Sequence, residues 1–198
     1  MKNIWIFLLF APLVLVHGQS SPGETETTFI KSFKLDSGHS QFLIKGTSSL
    51  HDWEMVSESF SGTMNMDVSS EALSINEIKV SVGVTSLKSG KRIMDNKCYD
   101  ALKKESHPTI TYQFKKISSV SATGSGNYKA NVSGTLTIAG TSKTVSIDVT
   151  ISKTNNTIVI KGEKPLKMTD FGVEPPTALL GTLKTGDDIT IVFNLNYQ

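Results

Sequence analysis

Long apolar runs are nearly absent from this 198-residue chain. One lies at the N-terminus, Ile4 to Val16 behind Lys2. It is shorter than the roughly 20 residues that a membrane-spanning helix needs. The small residues of Val16-His17-Gly18 follow it, which completes the pattern of a secretory signal peptide. Residues 1–18 are therefore expected to be removed, and no later segment is expected to span a membrane. Cysteine is nearly missing too: Cys98 is the only one, so no internal disulfide can form and the core alone must hold the fold. With no cysteine at the cleavage point, a lipid-anchored lipoprotein is not expected, and the destination is the periplasm or the outside of the cell. An excess of one charge is missing as well. The net charge is +2 and the basic residues are scattered, which leaves no footprint for nucleic acid.

Catalytic and metal-binding signatures are equally scarce. No Gly-x-Ser-x-Gly elbow occurs. His39, His51 and His107 are far apart and show no ligand spacing. The stretch GTSSLHDWEM, Gly46 to Met55, sets serine, histidine and aspartate close together. A triad needs an acid that orients the base. In an extended segment the neighbours His51 and Asp52 point to opposite faces. The segment reads better as a strand that ends in a turn, with Trp53 at the rim of the fold.

What the chain has in abundance is alternation with period two. It begins near Phe29, after a polar leader over residues 19–28 that reads as disordered. Phe60, Gly62, Met64, Met66 and Val68 share one face; so do Ile78, Val80, Val82 and Val84; so do Ile110, Tyr112 and Phe114. The same spacing recurs from Tyr128 to Ile138, Val145 to Ile151 and Ile189 to Tyr197, with shorter runs at Phe33–Leu35, Ser40–Ile44 and Thr157–Ile160. The polar faces are rich in Ser, Thr, Lys and Asn, as antiparallel sheets allow. Such strands with short links predict an all-β fold, a barrel or a sandwich. One helix interrupts them over Ser89 to Glu105, where Met94, Cys98 and Leu102 recur every fourth residue beside Ile93 and Ala101. Ser89 is its expected N-cap. Pro165 to Thr185 reads as a long loop.

These blocks resemble the YceI-like domain family. Phe33 to Gly46 is similar to its opening strand pair, and FSGTMNMD, Phe60 to Asp67, to its second block. Val84 to Tyr112 resembles its strand, helix and Pro-x-Ile-Thr succession, and Ser133 to Val149 its Gly-x-Leu-Thr-Ile strand pair. The resemblance runs from Phe33 to Tyr197. The chain departs from it at Arg92-Ile93-Met94-Asp95, where Arg and Asp are not adjacent, and in GTSSLHDW. The resemblance implies an antiparallel eight-stranded lipocalin-like barrel over residues 29–198 with one short helix inserted between strands. It further implies an exported, non-catalytic protein that holds an isoprenoid lipid or a quinone, with no other cofactor and no metal.

Strand phase then gives an expected lining for the ligand: Phe42, Ile44, Phe60, Met64, Val80, Val82, Tyr112, Phe114, Leu136, Ile147, Ile191 and Phe193, with Trp53 at the rim. Slim residues beside bulky ones leave room for an apolar chain, or else only suit a taper. No charge falls among these inward positions, so polar contacts are expected only at the mouth. Two other readings stand beside the carrier. One is an envelope stress or interaction module of the same fold with a filled core, and the other is a lipid-acting enzyme with His51 as base. Oligomeric state, a dimer included, is left open by the sequence.

Overall fold

Alternating apolar and polar residues bury one face only where strands pair side by side. The computed structural model describes residues 28–69, 72–154 and 156–198, and it has this arrangement. The expected signal peptide lies outside the described residues, as does the leader apart from Thr28.

One curled, wholly antiparallel sheet holds every strand among the described residues. In chain order these are β1 (Ile30–Lys34), β2 (Gln41–Ser48), β3 (Trp53–Ser57), β4 (Phe60–Asp67), β5 (Ser74–Gly83) and β6 (Leu87–Lys88). Then come the α-helix α1 (Arg92–Ala101), β7 (Thr109–Gly124), β8 (Asn127–Ile138), β9 (Thr141–Lys153), β10 (Ile158–Lys167), β11 (Thr177–Ala178) and β12 (Leu183–Tyr197). The strands lie in the order β1-β4-β5-β7-β8-β9-β10-β12-β2-β3-β6, with β11 beside β12.

The expected count of eight strands is corrected here to twelve among the described residues. The extra ones are short pieces without a readable period: β6 and β11 have two residues each, and β3 has five. A helical turn at Ser37–His39 also divides β1 from β2. That turn lets one stretch of chain serve two neighbours, since β1 pairs with β4 and β2 with β12. The end of β1 then meets the end of β12, where Lys34 and Gln198 exchange two backbone hydrogen bonds of 2.9 Å.

The inward face carries the core. Met64, Met66, Val82, Ile151, Ile158 and Tyr197 are almost completely buried, and the Phe42 and Phe60 rings lie 6.1 Å apart. The helix is shorter than its apolar stripe suggested, and Lys91, not Ser89, is its N-cap. Gly90 explains the shift, because its φ of 76° breaks the helical path behind Lys91. Ser89 binds the helix from outside. Its backbone N–H and its hydroxyl donate to Asp95 Oδ1 at 2.8 and 2.6 Å. Tyr99 fixes the next turn, donating to the carbonyls of Leu87 and Thr85 at 2.8 and 3.0 Å.

Candidate functional site

With Asp95 moored to Ser89 and Tyr99 to β6, another side of α1 is left to face an open space. The stripe of Ile93, Met94, Cys98, Ala101 and Leu102 lines an outer cavity of about 700 Å³. Across from it stand Ile44, Met55, Ile138, Leu166 and Ile189 from the sheet, and Met168, Phe171 and Val173 from the loop between β10 and β11. The loop keeps its shape through Asp187, whose carboxylate accepts from Thr169 N–H at 2.9 Å and Thr169 Oγ1 at 2.7 Å. These bonds hold the Asp187 carboxyl below its ordinary range.

A narrower inner cavity of about 80 Å³ lies among strands alone. On four strands, a step of two residues passes from the outer cavity to the inner one: Ile44 to Phe42, Ile138 to Leu136, Leu166 to Lys164 and Ile189 to Ile191. Two residues along a strand restore the same face, so the two spaces lie end to end along the strand direction.

The expected lining residues divide among three places. Phe42, Val80, Val82, Tyr112, Leu136, Ile147, Ile191 and Phe193 line the inner cavity. Ile44 and Trp53 line the outer one. Phe60, Met64 and Phe114 are buried in the core and line neither. Trp53 lines the outer cavity from β3. It pairs with Gly46 across β2 and β3, and its indole N–H donates to the Thr47 carbonyl at 2.8 Å. A Cβ on Gly46 would run into the indole ring, so only glycine lets Trp53 lie flat there.

Lys164 is the correction to an inward face free of charge. It falls on the same side of β10 as Ile158, Ile160 and Leu166, and it lines the inner cavity half-buried. The readable alternation ends at Ile160, so no period marks Lys164 as inward. The cavity-lining loop residues Met168, Phe171 and Val173 were missed because a loop has no period to read.

GTSSLHDW is the tip of the β2–β3 hairpin. The Ser48 hydroxyl accepts from the backbone N–H of Leu50 and His51, both at 3.2 Å, and donates to the His51 carbonyl at 2.7 Å. His51 Nδ1 lies 2.6 Å from the backbone oxygen of Asp52. The hydroxyl and the ring are thus engaged with the main chain, and no carboxylate lines the outer cavity beside His51. The charged side chains around that cavity are cations instead: Lys91, Arg92, Lys97 and Lys184.

Cys98 faces the same space. Burial pushes its thiol up to about 12, with Asp95 acting in the same direction. The thiolate is the reactive form, so iodoacetamide at pH 8 should label Cys98 on the order of a hundredfold more slowly than free cysteine. Labelling at the free-cysteine rate would show that water reaches the thiol.

Among the described residues no helix is long and apolar enough to cross a membrane. No group of three His, Cys, Asp or Glu stands ready for a metal ion there either. A family model described as "YceI-like domain" matches residues 33–197. No curated protein sequence matches the chain. Similar folds occur in BcnA of Burkholderia cenocepacia, at 22% identity and TM-score 0.65, covering 82% of this chain and 98% of that one. A polyisoprenoid binding domain from Saccharophagus degradans, implicated in plant cell wall breakdown, is similar at 16% identity and TM-score 0.67, covering 84% and 97%. The YCEI protein of Campylobacter jejuni follows at 22% identity and TM-score 0.56, covering 71% and 81%.

Proposed function

The chain belongs to the YceI-like domain family, and from that premise we propose that it is a non-catalytic lipid carrier of the cell envelope, periplasmic or secreted. In this reading the curled sheet works as a barrel and holds an isoprenoid or similar amphiphilic chain. The observation that carries it is the pair of cavities laid end to end, about 700 and about 80 Å³, with mainly apolar walls. An apolar chain gains about 25 cal/mol for each Å² it withdraws from water, before association costs. The filled-core module is disfavoured by the size of the outer space, since protein interiors leave few voids larger than a water. The lipid-acting enzyme is disfavoured by the engagement of Ser48 and His51 with the main chain.

Native mass spectra of the purified protein, before and after organic extraction, test the carrier. One released apolar mass per chain is expected. An empty protein that also refuses added isoprenoids would end this reading. Ala101→Trp adds a specific check. Ala101 is half-buried on the cavity side of α1, so an indole there fills space that the chain needs. Uptake should fall more than about tenfold, while the melting temperature moves little because no packed group is removed. Unchanged uptake would place the ligand elsewhere.

A further inference from the structure

The inner cavity has apolar walls except at three side chains, Tyr112, Lys164 and Tyr197. Tyr197 is 0% exposed, and its hydroxyl and that of Tyr112 are both buried without a hydrogen-bond partner. Buried hydroxyls are nearly always paired, because an unmade hydrogen bond costs more than a made one contributes. The Lys164 ammonium makes no ion pair or hydrogen bond among the described residues. All three groups can donate, and a lysine can do nothing else. No carboxylate or amide of the lining answers them.

Water is a poor occupant here. A volume of about 80 Å³ exceeds the roughly 10–15 Å³ that one water needs, but each water also wants two to four polar partners. The rest of the wall is Ile, Val, Leu and Phe. An oxygen atom at the end of an apolar molecule suits the space better, since the chain satisfies the wall and the oxygen satisfies the hydroxyls.

Position gives the direction. Along β12 the inner lining runs Ile191, Phe193, Leu195, Tyr197, away from Ile189 in the outer cavity. Tyr197 pairs with Ile158, at the far end of β10 from Lys164. The Tyr112 ring lies across Gly134, where a Cβ would collide with it, so its hydroxyl also turns away from Ile138 and the mouth. Burial and the nearby Tyr112 both keep Tyr197 in its protonated, donating form.

Resting on the lipid-binding reading, we propose that the inner cavity seats the ligand's oxygen-bearing head group. Tyr112 and Tyr197 donate to that oxygen, and the apolar chain runs back through the outer cavity to the mouth. The shared chemistry is an accepting oxygen without a donor of its own, the carbonyl of a quinone or the carboxylate of a fatty acid.

The test compares three probes on the whole protein: squalene, a tetraprenyl quinone and oleic acid. The unaltered protein should bind the two oxygen-bearing probes at least about tenfold more tightly than squalene, the equivalent of about 1.4 kcal/mol. In Tyr112→Phe/Tyr197→Phe that preference should vanish while squalene binding is unchanged. The empty double variant should melt no lower than the parent, because it loses only unpaired hydroxyls. Lys164 lies toward the outer cavity, so Lys164→Met should leave the preference in place. A loss in that variant would seat the head group at Lys164 and overturn the proposal. The tighter of the two oxygen-bearing probes in the unaltered protein identifies carbonyl or carboxylate. The proposal is overturned if the double variant keeps the preference, or loses squalene equally. It is also overturned if removing Lys91, Arg92 and Lys184 at the rim abolishes the preference. If the parent binds none of the probes, the lipid-binding reading itself falls.

Discussion

Replacing Asp95 with alanine should lower the folding stability by about 2–4 kcal/mol, since a hydrogen bond to a charged group is worth about 1.5–3 kcal/mol. Asp95 is 7% exposed and has two short bonds from Ser89. Its place in the first turn of α1 adds a favourable interaction with the helix N-terminus. Without the carboxylate, Ser89 and Gly90 no longer fix where the helix begins. Cys98 should then become quicker to alkylate, because the outer cavity loosens and a negative neighbour is gone. Asp95→Asn keeps an accepting oxygen and should lose about 1 kcal/mol or less. Urea unfolding of both variants decides the matter. Equal losses in the two would mean that the charge, and not the bonds to Ser89, carries the effect.

The second large effect is alkaline. Folding stability should be flat up to about pH 8.5 and then fall steeply toward pH 12. Burial pushes Tyr112 up to about 12 and Cys98 up to about 12, and it pushes Tyr197 in the same direction. In the unfolded chain the same groups ionise near 10 for tyrosine and 8.5 for cysteine. Above those values the unfolded chain releases protons that the folded chain retains. Each fully buried group then removes about 1.4 kcal/mol per pH unit. The shares of half-buried Tyr112 and Cys98 are smaller because water screens them. Urea midpoints across pH 8 to 12 measure the slope. Tyr112→Phe/Tyr197→Phe should flatten it, and a variant as steep as the parent would assign the alkaline loss to other groups.

Much of the fold was legible because alternation is a property of the chain itself. The runs through Ile78, Leu136 and Ile147 sit inward as their phase requires. The helix stripe was equally plain, and it lines the outer cavity. Illegible parts had one of two causes. Some strands run on with polar residues on both faces, as in β7 beyond Phe114, where nearly every side chain is exposed. No period marks such a strand, and Lys164 was lost in the same way. Other site residues, Met168, Phe171 and Val173, are gathered by a loop whose shape depends on Asp187, 18 residues further on from its partner Thr169. The division of the lining into inner cavity, outer cavity and solid core lay beyond the sequence as well. Phe60 and Phe42 have the same phase and character, yet only Phe42 reaches free space.

The meeting of Lys34 with Gln198 has a consequence for folding kinetics. β12 is flanked by β10 and β2, and its last residues bond to the end of β1. An interior strand of the sheet order is thus drawn from late in the sequence, and its partners include some of the earliest described residues. Contacts of such long sequence separation make folding slow, because loop closure is paid in entropy before the pairing rewards it. Until β12 docks, β2 and β10 each keep an unpaired edge. A chain cut before β12 has no complete sheet to form.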